Sequence, residues 1–156
     1  MKISEILEEQ FIRTNLPGVN KTEIINAMID IVGTSKKIID KERVRQAIFE
    51  REKIMSTGVG NGFAIPHGKT DAVSDIAAAF ALTERPIDYQ ALDDQPVRLV
   101  FLLIGKDSLV GPHIKLLSRI SRLMNKEEFR KKLLACKSAQ EVLATFKTEE
   151  ANYFEI

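Results

Sequence analysis

The sequence predicts an α/β domain built on a mixed central sheet with helices on both faces. Two apolar runs, Ile76–Leu82 and Val97–Ile104, do not alternate cleanly, as expected of strands covered on both sides. Apolar residues at helical spacing flank these runs, at 24–32 before them and at 116–124 after them. The 156 residues, 44% apolar and 29% charged, suit one domain, residues 1–156, with a substantial core. The order of the strands does not follow from periodicity.

Along the chain, residues 3–16 form a short amphipathic start, ended by the Pro17-Gly18 turn. Asn20 is placed to cap a helix, with Glu23 three residues on. Apolar positions 24, 25, 28, 29 and 32 follow, and Gly33 closes the element. Asp40 caps a second helix running to about Met55, with a stripe of Val44, Ala47, Ile48 and then Ile54 or Met55. Arg51 interrupts that stripe on the face expected to be buried. It either snorkels, pairs with a structural carboxylate, or awaits an anion. Between the two strands, residues 84–96 are expected to be a turn, a short extended piece and a second turn. After them, Gly105–Gly111 is expected to be a polar loop. Pro112 suits the first turn of a helix whose apolar face holds His113, Leu116, Leu117, Ile120, Leu123 and Met124. Helices over Lys126–Cys136 and Ser138–Phe146 follow, the second capped by Ser138 with Glu141. The tail from Lys147 has no clear pattern.

Composition narrows the function. With 23 basic and 22 acidic residues the formal charge is +1, which argues against a general polyanion-binding surface, so no nucleic-acid partner is expected. The single cysteine, Cys136, cannot form an intramolecular disulfide and fits a reducing compartment; a small buried hydrophobe is its expected role. No signal-peptide pattern is present, and neither apolar run nears the roughly 20 residues of a membrane helix. A cytoplasmic protein without membrane insertion is expected.

The stretch Ser56–Gly68 carries four of the chain's 8 glycines and ends in Ile65-Pro66-His67-Gly68. Glycines shape the loop, and Pro66 biases Ile65 toward extended geometry, so His67 sits on a stiffened platform. A dinucleotide fingerprint fails because Phe63 stands where its last glycine would be. A P-loop fails at the same residue, although Gly68-Lys69-Thr70 matches its end. No tight ligand cluster suggests a metal, and no cofactor is expected. What remains is His67 as a reactive imidazole, with Arg51, Ser56, Thr57, Gly58 and His113 as candidate neighbours. Arg51 could offer two-pronged bonds to phosphoryl oxygens. His113, in the first turn of its helix, is either a capping or core residue or a neutral donor.

The run Arg51…Ser56-Thr57-Gly58-Val59-Gly60-Asn61-Gly62…Ile65-Pro66-His67-Gly68 closely resembles the enzyme IIA domains of mannitol/fructose type in the bacterial phosphoenolpyruvate-dependent phosphotransferase system, nitrogen-regulatory relatives included. The similarity extends through Asp93-Asp94-Gln95-Pro96-Val97 and His113, over about residues 3–146. It implies that His67 becomes a tele-phosphohistidine, loaded by the phosphorylated histidine of HPr or its nitrogen-branch counterpart and discharged to a cysteine of enzyme IIB. It also implies that Arg51 stabilises the phosphate, that His113 supports the site, and that the chain is a free-standing IIA unit. A regulatory protein of the nitrogen type, in which the state of His67 selects binding partners, is the rival expectation.

Overall fold

A computed structural model of the chain describes residues 1–154. In order, the elements are α1 (Ile3–Ile6), β1 (Ile12–Leu16), α2 (Lys21–Val32), α3 (Lys41–Ile54), β2 (Gly58–Gly60), β3 (Phe63–Ala64), β4 (His67–Lys69), β5 (Ala77–Ile87), β6 (Val97–Gly105), α4 (Val110–Met124), α5 (Glu127–Leu134) and α6 (Ala139–Phe154). The strands form one mixed sheet in the order β1-β5-β6-β3-β2, with β4 also paired to β6. β5 and β6 are antiparallel; β1 runs parallel to β5, and β3 and β4 run parallel to β6.

The two continuous apolar runs resolve into alternation between two cores. Ala77, Ala79, Ala81, Val100, Leu102 and Ile104 face α2 and α3 with Ile25, Met28, Ile29, Val44 and Ile48. Ala78, Phe80, Leu82, Leu99, Phe101 and Leu103 face the other layer with Ile3, Leu116, Ile120, Phe129 and Phe146. Both faces are covered, so both residue parities must be apolar. The sides differ in bulk: the first half of β5 offers Ala77, Ala79 and Ala81 to α2 and α3, whereas Phe80, Phe101, Phe129 and Phe146 pack edge-on in the opposite core.

The caps act as expected. Asn20 Oδ1 accepts from Glu23 N–H at 2.9 Å, Asp40 Oδ1 from the N–H groups of Glu42 and Arg43, and Ser138 Oγ from Glu141 N–H at 3.1 Å. Several boundaries differ from expectation. β5 does not stop at Leu82; it continues through the exposed Glu84-Arg85-Pro86 to Ile87, which pairs with Val97. The glycine stretch holds three short strands rather than one loop. β3 and β4 line the same edge of β6, and the break between them falls at Ile65-Pro66, where proline brings no N–H to the ladder. Pro66 O still accepts from Leu103 N–H at 3.1 Å. The last helix extends through the patternless tail to Phe154 because Glu150, 1% exposed, accepts from the N–H groups of Ile3 and Ser4 and from Arg119 Nε. The helix before it ends at Leu134, and Cys136 just beyond is half-buried, its Sγ donating to Lys132 O.

Candidate active site

The site forms where β4 and β6, parallel neighbours, both end. His67 begins β4, in register with Leu103, and the Lys106–Leu109 connection leads from β6 directly into α4, which carries His113 in its first turn. α3 closes the third side. It packs tightly on β4 because Gly68 has no side chain: a Cβ there would lie 3.3 Å from the Ala47 carbonyl. Between these elements lies an open cavity of about 470 Å³ lined by Ala47, Arg51, His67, Lys69, His113 and Leu117, among others.

His67 is half-buried, and its Nδ1 lies 2.8 Å from Ile65 O. A carbonyl only accepts, so Nδ1 carries the proton and Nε2 keeps a free lone pair on a side chain that lines the cavity. Burial pushes the His67 imidazolium down in pKa. The Ile65 carbonyl pushes it up, Arg51 and Lys69 push it down, Glu52 pushes it up, and the balance lies below the ordinary value. The ring is therefore neutral, as a nucleophile must be.

His113 lies with its ring centroid 5.8 Å from that of His67, the planes tilted by 47°. It is 2% exposed, and neither of its ring nitrogens has a hydrogen-bond partner. Burial, with His67 and Lys69 nearby, lowers its pKa to about 4. The ring packs on a glycine backbone: a Cβ at Gly105 would stand 2.8 Å from His113 Nδ1. Buried imidazole nitrogens without partners are rare and mark a place where a ligand can supply one.

Arg51 is half-buried at the cavity wall rather than turned into the core, and one guanidinium nitrogen donates to Met55 O at 2.8 Å. The charged residue that does turn inward is its neighbour Glu52, 8% exposed, and Ile54 and Met55 point outward at 79% and 56% exposure. The expected stripe thus ends differently, continuing from Val44 and Ile48 to Glu52 at intervals of four.

Glu52 is held by four donors. Its Oε1 accepts from the hydroxyls of Thr57 and Tyr89, and its Oε2 from Thr57 N–H at 2.7 Å and from Lys21 Nζ at 2.9 Å. Burial alone would raise the Glu52 pKa. The Thr57 hydroxyl, Lys21 and the Thr57 amide together outweigh it and hold the carboxyl below its ordinary range. The Thr57 hydroxyl is thereby committed to Glu52 and Tyr89. Ser56 Oγ accepts from Gly58 N–H, and Gly58 lies against Ala91 and Tyr89. These three candidate neighbours shape the corner after α3 and are not among the residues lining the cavity. Arg51, His67 and His113 are brought together. Lys69, on the cavity wall, figured in the sequence only as part of a failed P-loop match, and the Glu52 cluster went unnoticed, where only the spacing of Glu52 from Ile48 could have signalled it. Among the described residues, no group of three or more His, Cys, Asp or Glu side chains is placed to hold a metal ion, and no helix is long and apolar enough to cross a membrane.

Fold and site together define a class: an α/β domain presenting a neutral histidine of fixed tautomer to a cavity shared with an arginine and a second histidine. The chain belongs to the family described as phosphoenolpyruvate-dependent sugar phosphotransferase system, EIIA 2, which matches residues 5–149 and whose members are phosphotransfer components. It is 37% identical over 143 residues to the PTS system fructose-specific EIIABC component of Bacillus subtilis, covering 92% of this chain and 22% of that protein. It is 34% identical over 144 residues to a nitrogen regulatory protein of Bradyrhizobium diazoefficiens, covering 91% and 92% of the two chains. Among solved structures, the nitrogen regulatory protein IIA-Ntr of Neisseria meningitidis matches with a TM-score of 0.87 and 30% identity, over 92% of this chain and 98% of that one.

Proposed function

We propose that the chain is a phosphocarrier. His67 takes a phosphoryl group from the phosphohistidine of HPr or its nitrogen-branch counterpart and passes it to the cysteine of an enzyme IIB in sugar uptake of fructose/mannitol type. The observation that carries this reading is the Nδ1–Ile65 bond, which leaves Nε2 as the one nucleophilic nitrogen of His67. In the first half-reaction the Nε2 lone pair forms a bond to phosphorus while the donor's N–P bond breaks, its electrons returning to the donor ring. In the second, a IIB thiolate attacks phosphorus and the Nε2–P bond breaks. Charge on the transferred group's oxygens is met by Arg51, Lys69 and whichever His113 nitrogen carries a proton. The IIB partner is supported by the EIIABC designation of the Bacillus subtilis relative.

The test is incubation with phosphoenolpyruvate, enzyme I and HPr. One acid-labile phosphate per chain is expected, located on His67, and none on a His67→Ala protein of unchanged fold. Undiminished labelling of that variant overturns the assignment.

A second reading, regulation of the nitrogen type, is favoured by the near full-length match to the Bradyrhizobium diazoefficiens protein. In that role the charge added at His67 changes which proteins bind. The two readings separate at the second half-reaction: rapid discharge of the phosphorylated chain by a fructose-type IIB supports transport, and a long-lived phosphohistidine in its presence supports regulation.

A further inference from the structure

We propose that Glu52 is a positioning residue for the His67 site, acting through Lys21, Thr57 and Tyr89 to fix the corner at which α3 gives way to the glycine platform. The proposal rests on the phosphocarrier reading for its kinetic consequence but not for its structural one.

The geometry is specific. Both carboxylate oxygens are used twice, by donors from α2 (Lys21), from the segment between α3 and β2 (Thr57) and from the chain after β5 (Tyr89). Lys21 also lies over the Tyr89 ring, 4.9 Å from its centroid, and the two hydroxyls of Thr57 and Tyr89 are 3.0 Å apart. Burial, with Glu52 beside it, pushes the Tyr89 phenol far above its ordinary range, so it remains a donor. Three distant segments are thus clamped on one side chain that directly follows Arg51. Two consequences reach the cavity. The Met55 carbonyl that anchors Arg51 lies between Glu52 and Thr57, so its place is set by the clamp. Thr57 O in turn accepts from Ile65 N–H at 2.9 Å, and Ile65 O is the group that fixes the His67 tautomer. One chain of bonds therefore runs from Glu52 through Thr57 and Ile65 to His67 Nδ1.

The clamp also acts electrostatically. His67 is faced by Arg51 and Glu52 from α3, by Lys69 from its own strand and by His113 from α4, with Glu50 also on the cavity wall. Arg51 and Lys69 disfavour its protonation, and Glu52 opposes them. Glu52 is in turn partly neutralised by Lys21. Removing either partner of the buried pair should therefore move the His67 titration, in opposite directions.

The experiment is NMR titration of His67 in the unphosphorylated chain, comparing Glu52→Gln and Lys21→Gln with the parent. In Glu52→Gln the midpoint is expected to move down, because a negative charge is lost. In Lys21→Gln it is expected to move up, because Glu52 is left less screened. Phosphoryl acceptance by Glu52→Gln is expected to be slower by roughly tenfold, the scale of a loosened rather than a removed catalytic group. Unmoved midpoints in both variants, or shifts of the same sign, overturn the proposal. If Glu52→Gln does not fold, the Lys21→Gln midpoint decides alone. The titration needs no phosphate donor, so a chain that shows the opposed shifts yet accepts no phosphate refutes the phosphocarrier reading and leaves the clamp standing.

Discussion

Glu52 at the end of α3 and His113 at the start of α4 are both buried ionisable side chains, 8% and 2% exposed. The carboxylate accepts from four donors, and the imidazole has no partner at either nitrogen. A satisfied buried group is part of the framework, since its bonds replace those it lost to water. An unsatisfied one is a standing cost of about 1–3 kcal/mol, which folding alone gives no reason to keep. The difference teaches where the molecule ends as a scaffold and begins as a site. The Glu52 side of α3 is finished, and the His113 side of the cavity keeps two ring nitrogens open to a hydrogen-bonding partner.

Leucine at each position is the strongest way to break this contrast. Glu52→Leu strands Lys21, Tyr89 and the Thr57 amide, and is expected to destabilise the chain by about 3–5 kcal/mol. His113→Leu removes two orphaned nitrogens and is expected to stabilise it by about 1 kcal/mol while impairing transfer in at least one direction. Equilibrium denaturation in urea measures both, and changes of the same sign would end the comparison.

Acid sharpens it next. The folded pKa of His113, about 4, lies below its ordinary 6.5, so between those values the unfolded chain binds more protons. Stability present above about pH 6.5 should fall as the pH drops toward 4, by about 2–3 kcal/mol from this group. Glu52 acts in the same direction but only below its ordinary 4.5, where the unfolded chain's carboxyl takes up a proton and the depressed folded one still resists it. Melting curves between pH 7 and about 4.5 should therefore report the two lowered histidines, His113 and His67, rather than Glu52, and the loss should shrink without vanishing in His113→Leu.

The smallest effect on stability belongs to Arg51, one residue from Glu52 but on the unfinished side. Arg51→Lys keeps the charge and loses the planar fork. Phosphorylation is expected to slow by on the order of 10²-fold, with unfolding free energy within about 0.5 kcal/mol of the parent. Rapid-quench labelling and urea denaturation together test it; normal kinetics with lowered stability would make Arg51 a structural residue like its neighbour.

Much of this was legible where the physics is local. The caps at Asn20, Asp40 and Ser138 bond amides two or three residues away, so three helix starts were readable. β5 and β6 were readable because burial on both faces leaves Arg98 as the one polar position in the two runs. The short strands β1, β3 and β4 were not, since each depends on register with β5 or β6, far along the chain, and β2 forms only on β3. The extension of the final helix beyond Phe146 was missed because what anchors it, Glu150 on the amides of Ile3 and Ser4, spans nearly the whole sequence. At the site, His67 and His113 stood out by their platform and helix position. Arg51 stood out by breaking the α3 stripe, and it hid Glu52 beside it, which meets donors from three other segments.

The bond from His67 Nδ1–H to the Ile65 carbonyl has a further consequence. In the proposed phosphocarrier role, a ring that already holds its proton on the far nitrogen, donated in a hydrogen bond to a backbone oxygen, would take up a phosphoryl group at Nε2 without releasing one. The loaded ring is cationic, and the carbonyl dipole that fixed the tautomer also steadies that charge. When the group leaves, the same neutral imidazole returns, its hydrogen unmoved. No base is needed to load it and no acid to unload it, so only heavy atoms and electron pairs change place. Such an exchange is nearly symmetric in either direction, which suits an intermediary that must give up what it receives.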